Sequence, residues 1–292
     1  MEEIEFIKMH GLGNDFVVID ARARAVPLDP ALLRAVADRR LGIGFDQLIR
    51  IEPARNADSA AFMRIYNADG SEVDACGNAT RCIGWLLMSE TGDTQVAVET
   101  NAGRLVCNGA GAQRITVDMG VPAFGWQQIP LACEMDSRNL HFDPALPDIP
   151  GLVGPPVAAN IGNPHCIFFV SDVAAIPLSE IGPLVEHHAL FPARVNVSFA
   201  EISAPERIRL RVWERGVGIT RACGTAACAV VAAAAQPGVA RANRQVCVAL
   251  DGGMLEIDWR ADDNHIYMTG ETAISFRGRF APEALRAAQS TM

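Results

Sequence analysis

The chain repeats itself, and that constrains its fold more than any other feature. Arg64–Gly77 lies without gaps on Arg211–Gly224, and both segments end in Ala-Cys-Gly. Upstream, Leu12-Gly13-Asn14-Asp15-Phe16 matches Ile161-Gly162-Asn163-Pro164-His165, and each opens an apolar strand pattern, Phe16–Ile19 and Cys166–Val170. The spacing agrees as well. Asn14 to Gln47 is 33 positions and Gln47 to Cys76 is 29, against 33 from Asn163 to Asn196 and 27 from Asn196 to Cys223. One such match is weak, but amide and thiol positions recurring in order at near-equal spacing signal a duplication. A length of 292 residues, long for a single domain, fits two related halves.

The segment after each Ala-Cys-Gly reads as a helix. Asn78 and Thr225 are residue types suited to N-caps. Ala79–Glu90 ends at Thr91-Gly92, and Ala226–Ala235 ends at Pro237-Gly238, both with stop signals. The second helix is apolar all round, so it is expected to be buried on every side. Period-2 runs flank the helices: Ala61–Tyr66, Gln95–Glu99, Arg114–Asp118, Ile208–Trp213 and Gln245–Leu250. The expected fold is α+β, with two pseudo-symmetric domains, each a curved, mostly antiparallel sheet around a central helix. The turn-rich stretch Pro122–Pro130 is the expected boundary. It separates residues 1–125, to which a C-terminal strand in 271–292 returns, from residues 126–270. Cys133–Pro156, with five prolines, reads as an irregular surface loop.

Several chemistries are excluded early. Lys8 is the only lysine, and it falls in an opening strand pattern where a solvated position is expected. A pyridoxal phosphate Schiff base therefore lacks a suitable lysine, a phosphate-binding GxxxxGK[ST] loop cannot be written, and no GxGxxG opens a helix. A net charge of −9 and scattered arginines leave no basic field, so no nucleic acid partner is expected. The longest apolar run, Ala226–Ala235, falls well short of the roughly 18 to 20 residues of a membrane span, so no membrane partner is expected either. Eight cysteines in so long a chain, behind an acidic MEEIEFIKMH start, point to free thiols in a cytoplasmic protein.

Two of those cysteines stand apart. A thiol just ahead of a helix meets the positive end of the dipole and unpaired N–H groups, which favour thiolate and bind carboxylates. If the halves are related by a pseudo-two-fold axis, Cys76 and Cys223 face one another across whatever lies between them. Such a pair suits inversion of an α-carbon without a cofactor: one thiolate removes the α-proton and the other thiol protonates the opposite face. Cys107, Cys133, Cys166 and Cys247 read instead as small buried hydrophobes, and Cys82 and Cys228 as helix packing. Cys76-x5-Cys82 and Cys223-x4-Cys228 lack the short spacing of zinc ligands, so no metal is expected. A redox switch between Cys76 and Cys223 and a carboxylate-binding module without turnover stay open as other classes.

The segments His10-Gly11-Leu12-Gly13-Asn14-Asp15-Phe16, Asn67-Ala68-Asp69-Gly70-Ser71-Glu72, Ala75-Cys76-Gly77-Asn78, Gly162-Asn163-Pro164-His165, Glu214-Arg215-Gly216-Val217-Gly218 and Ala222-Cys223-Gly224-Thr225 resemble the diaminopimelate epimerase family from residue 6 to about 280. The resemblance implies a small-molecule partner, LL-diaminopimelate, interconverted with the meso form on the route to lysine and peptidoglycan precursors, and no cofactor. It implies that Cys76 and Cys223 are the acid/base thiols and that Gly77, Asn78, Gly224 and Thr225 hold the reacting carboxylate. Asn14 and Gln47 become further ligands at that end. Asn67, Asn163, Asn196, Glu214 and Arg215 become readers of the far amino acid group, while His165 and Glu214 tune the thiols. The chain departs from the family pattern at Ala79-Thr80 and Ala226, where glycine is common at the first and last of these. Two-cysteine racemases of proline or hydroxyproline are the related alternative. A homodimer rests only on how common two-fold assemblies are.

Overall fold

The structure is a computed structural model that describes residues 3–236, 239 and 242–290. The chain folds into two compact units, residues 1–117 with 270–292 and residues 118–269. Pro237-Gly238, expected to stop the second helix, lies outside the described residues.

The first unit runs β1 (Ile4–Gly11), β2 (Asn14–Asp20), α1 (Pro30–Ala37), β3 (Gln47–Glu52), β4 (Ala61–Asn67), β5 (Glu72–Val73), α2 (Gly77–Thr91), β6 (Gln95–Thr100), β7 (Gly103–Gly109) and β8 (Arg114–Asp118). The second runs β9 (Val157–Asn160), β10 (Pro164–Phe169), α3 (Leu178–Glu186), β11 (Asn196–Ala204), β12 (Arg207–Glu214), β13 (Gly218–Thr220), α4 (Gly224–Ala235), β14 (Gln245–Leu250), β15 (Gly253–Trp259) and β16 (Ile266–Glu271). The chain then rejoins the first unit with β17 (Ala273–Phe280), antiparallel to β1 with Ile4 opposite Phe280, and α5 (Pro282–Ser290).

Strand pairing repeats the sequence duplication. In the first unit β2 pairs in parallel with β3 across α1, β3 pairs antiparallel with β4, and β4 reaches β6 in parallel across α2. In the second, β10 pairs with β11 across α3, β11 with β12, and β12 with β14 across α4, with the same senses. Parallel neighbours need a long crossover, and a helix supplies each one. The hairpin pairs β1–β2, β6–β7, β9–β10 and β14–β15 are antiparallel, as is β1 with β17, so each unit is mostly antiparallel, as the period-2 runs predict.

The helices are buried for reasons written in their composition. Ala226–Ala234 of α4 are all fully buried, packed on β9, β10, β11, β14 and β15. In α2 the decisive residue is Gly84, because a Cβ there would stand 2.7 Å from both Cβ and Sγ of Cys107 on β7. Gly92 ends α2 in the left-handed region at φ 80°, and its N–H donates to the Met88 carbonyl. Around α3 the second core stacks Phe168 on Phe199, with ring centroids 5.0 Å apart.

Three expectations need correction. Lys8 is buried, not solvated, and its ammonium is held by the Asp15 carboxylate and the Gly44 carbonyl. Cys133 is exposed and Cys247 is half-buried, so neither is a core residue. Cys133–Pro156 is irregular throughout, but it is not simply a surface loop: Leu140 is buried and Met135, Phe142, Leu146 and Ile149 pack on the second core. Apolar side chains spaced between prolines can cover a core without forming an element.

Candidate active site

Each unit places a cysteine at the N-cap of its central helix. Cys76 and Cys223 are extended (φ −150°, ψ 110° and φ −128°, ψ 112°), and neither side chain caps the helix by a hydrogen bond. Asn78 and Thr225, expected as the caps, are instead the second residue of α2 and α4. Their side chains are engaged elsewhere, Asn78 with Asn14 and Thr225 with Asn163. A thiol bonds N–H groups weakly, so first-turn amides of Gly77-Asn78 and Gly224-Thr225 keep the anion-binding character of a helix start.

In the first unit a tight turn delivers Asn14. Leu12 and Gly13 join β1 to β2 with φ 56° and 82°, the left-handed pair of a two-residue hairpin. A leucine there costs about 1 kcal/mol relative to a relaxed conformation, a strain of the kind found at functional turns. Asn14 Oδ1 then lies 3.1 Å from Asn78 Nδ2 and 3.9 Å from Cys76 Sγ. Gln47 and Asn67 sit opposite one another on β3 and β4, and Gln47 Nε2 donates to Asn67 Oδ1 at 3.3 Å. Gln47 Oε1 is buried without a hydrogen-bond partner.

The second unit repeats the plan with different groups. Asn163 follows Gly162 (φ 81°), pairs through its Oδ1 with His165 Nε2 at 2.7 Å, and donates through its Nδ2 to Thr225 Oγ1 at 3.3 Å. Thr225 Oγ1 is in turn 3.5 Å from Cys223 Sγ. His165 is fully buried. Burial first, and then the Arg215 charge, push its pKa down to about 3, so it is neutral and Nε2–H is the donor to the Asn163 oxygen. Asn196, opposite His165, donates to the Pro164 carbonyl at 3.0 Å and accepts the Arg215 backbone N–H at 3.0 Å. Arg215 Nη1 donates to the Ala193 carbonyl at 3.0 Å, and Glu214 accepts from the Thr220 hydroxyl.

The expectation that a helix start makes the thiol acidic fails for Cys223. Burial pushes its pKa well above the ordinary thiol value, and the Glu214 carboxylate pushes the same way. The Thr225 hydroxyl and the Ala226 N–H pull it down, but less. The dipole can stabilise only an ion that has already lost its water, and here desolvation wins.

Sequence reasoning missed four residues that build these half-sites. Asp46 binds Asn14, Arg81 binds Asn78, and Thr220 binds Glu214. Glu186, at the end of α3, accepts Trp213 Nε1–H at 2.6 Å and the Gly216 N–H at 2.8 Å, gripping both sides of Glu214-Arg215. Arg81 follows closely on Ala75-Cys76-Gly77-Asn78, and its place one turn into α2 was a usable signal. For Glu186 no local pattern existed, because its partners lie 27 and 30 residues away.

These features have counterparts in known proteins. The family model described as diaminopimelate epimerase matches residues 6–125 and 157–274. A diaminopimelate epimerase from Phenylobacterium zucineum is 51% identical over 273 residues, 94% of this chain and 96% of that protein. Among solved structures, a phenazine biosynthesis protein of the PhzF family from Bacillus anthracis is similar at a TM-score of 0.67 with 15% identity, covering 96% of this chain and all 100% of that one. A hydroxyproline epimerase from Agrobacterium vitis, with trans-4-hydroxy-L-proline bound, is similar at a TM-score of 0.64 with 16% identity over 96% of this chain and 91% of that one. At such identities the two structures share the fold alone. The family match and the half-identical relative, on top of the paired N-cap cysteines, establish that the chain belongs to the diaminopimelate epimerase family.

Proposed function

We propose that this protein interconverts LL- and meso-2,6-diaminopimelate without a cofactor, with Cys76 and Cys223 as its acid/base pair. The observation that carries the proposal is the duplicated N-cap cysteine on a buried helix, in a chain of this family. A thiolate takes the α-proton and becomes a thiol; the electron pair left on carbon spreads into the carboxylate as an enolate-like anion. The second thiol then gives its proton to the opposite face and becomes the thiolate. No electron is gained or lost, and the centre is inverted.

The α-proton is very weakly acidic, so the developing charge needs fixed donors in a dry setting. The first-turn amides of Gly77-Asn78 and Gly224-Thr225 are suited to the reacting carboxylate. Asn14 and Gln47 serve the same end, and the buried, unpartnered Gln47 Oε1 suits an ammonium donor. At the far end Arg215 matches a carboxylate and Glu214 an ammonium, with Asn67, Asn163 and Asn196 supplying amide contacts. A proline-type substrate carries no second amino acid group for Arg215 and Glu214 to hold. His165, neutral and one amide removed from Thr225, steadies the donor beside Cys223, and Glu214 sets that thiol's basicity.

We read residues 1–125 with 271–292, and residues 126–270, as the two epimerase halves. Among the described residues no helix is long and apolar enough to cross a membrane, and the charge of −9 disfavours nucleic acid, in line with a cytoplasmic enzyme. A homodimer is the assembly that sedimentation would test.

Proton NMR of LL-diaminopimelate in D₂O, with reduced protein and no cofactor, tests the proposal. The expected result is loss of the α-proton signal with growth of the meso form, abolished by either Cys76→Ala or Cys223→Ala. Absence of exchange under reducing conditions refutes it, and exchange on L-proline alone transfers the assignment to the racemase class.

A further inference from the structure

Arg81 is the largest fully buried side chain among the described residues, and burying a guanidinium is expensive unless its donors are met. It rises from the second turn of α2, and its Nη2 donates to Asn78 Oδ1 at 2.9 Å. Gly11, at the end of β1, makes the room: a Cβ there would meet Nη2 at 3.1 Å. From this cation a chain of amides runs outward. Asn78 Nδ2 donates to Asn14 Oδ1 at 3.1 Å, and Asn14 Nδ2 donates to Asp46 Oδ2 at 3.0 Å. Asp46 is itself held, accepting from Arg39 Nη2 at 2.7 Å and from the Asp15 N–H at 3.0 Å.

A side-chain amide can be turned over, exchanging its donor and acceptor. Here it cannot, because the chain ends in groups of one polarity each. A guanidinium only donates, so Asn78 must turn its oxygen to Arg81 and its nitrogen to Asn14. A carboxylate only accepts, so Asn14 must turn its nitrogen to Asp46. Reversing either amide sets donor against donor. What remains is Asn14 Oδ1, 3.9 Å from Cys76 Sγ.

We infer that Arg81 and Asp46 are positioning residues that lock the amides of Asn78 and Asn14 in one orientation, so that Asn14 presents a carbonyl oxygen to the Cys76 thiol. A carbonyl accepts from S–H and repels S⁻. The clamp therefore favours the protonated form of Cys76, the form that donates a proton when it serves as the acid. That catalytic meaning rests on the proposed function, whereas the orientation itself is testable without substrate.

The test is the pH dependence of Cys76 alkylation by iodoacetamide, read by peptide mass spectrometry with Cys223 as internal reference. Asp46→Asn and Asp46→Ala remove the same charge, but only asparagine can still accept from Asn14. A purely through-space effect gives both variants the same midpoint. Release of the clamp sets the Asp46→Ala midpoint below that of Asp46→Asn by about 0.5 to 1 pH unit, a three- to tenfold change in thiolate fraction worth roughly one neutral hydrogen bond. Arg81→Met sharpens the sign. Added to Asp46→Ala, so that neither end fixes the amides, it would raise the midpoint if only a nearby cation were lost, whereas freeing Asn14 lowers it below that of Asp46→Ala. Lys8 and His10 on β1, Asp15 on β2, Arg39 before β3, Asp74 ahead of α2 and Cys82 on α2 are titratable groups near this corner, and all stay unchanged. Asp46 is solvent-exposed, so its variants fold even if Arg81→Met does not. Equal midpoints for the Asp46 pair, or an unchanged or raised midpoint when Arg81→Met is added to Asp46→Ala in a folded variant, overturn the inference.

Discussion

Gly84→Ala sets two known effects against each other. In an exposed helix the change adds about 1 kcal/mol of stability, because glycine is the poorer helix former. In α2 the added Cβ would stand 2.7 Å from Cβ and Sγ of Cys107. Sulfur can rotate away, but the Cys107 Cβ is fixed to β7, so only separation of helix from strand relieves the contact. Reaching ordinary carbon–carbon contact takes about 1 Å, and overpacking of this kind costs about 1–3 kcal/mol. Overpacking is the larger effect, and the variant should be less stable by about 1 kcal/mol net, seen as a lower urea midpoint at unchanged slope. Cys107→Ala leaves the offending Cβ in place and should not relieve the clash. Cys107→Gly removes it, so that combined with Gly84→Ala it should cost less than the sum of the two single changes. Because α2 carries Cys76, Gly77 and Asn78 at its start, the same displacement should cut turnover by up to about 100-fold. A Gly84→Ala variant stabilised by the full helix-propensity gain would refute this account of the packing.

The His165 ring, held at about 3 against its ordinary 6.5, links stability to pH. The unfolded chain takes up the proton first, so stability is complete above about pH 6.5 and drains as pH falls toward 3; His165→Gln should flatten that slope in denaturation titrations, and an unaltered slope would show that the ring is not buried neutral. Glu214→Gln should speed Cys223 alkylation at neutral pH, since it removes a carboxylate that holds the thiol protonated, and a slower reaction would contradict the local charge balance. Glu186→Ala leaves the Trp213 indole and the Gly216 amide without their acceptor, at about 1–3 kcal/mol each. It should raise KM for diaminopimelate more than it lowers kcat, because the Glu214-Arg215 turn loses its grip; a change in kcat alone would place Glu186 outside substrate reading.

The duplication, the two central helices and several strands were legible because each is local or is copied within the chain; α1, α3 and α5 were not read. Ala226–Ala235 reads as a fully buried helix from composition alone, and Ala61–Tyr66 or Gln245–Leu250 as strands from alternation, since side-chain direction follows the backbone period. The two thiols were legible for a different reason: the repeat marks Cys76 and Cys223 out from six other cysteines that have no matched context of this kind.

Protonation and polarity were not legible, because they depend on groups far apart in the chain. Helix-start logic predicts an acidic Cys223, yet burial and Glu214 reverse the sign. Lys8 reads as a solvated strand residue, yet the hairpin turn at Leu12-Gly13 brings the half-buried Asp15 back to it and the ammonium is buried. Arg81, Asp46 and Glu186 orient the residues that the motifs single out, and only folding sets them beside their partners. Local pattern and repetition were enough for the two central helices, several flanking strands, their duplication and the two sulfurs at the helix starts, since backbone propensity and periodicity act over a few residues. Which polar groups lose water and which atoms face each other came only with the packed fold, because desolvation and hydrogen-bond polarity are properties of that neighbourhood.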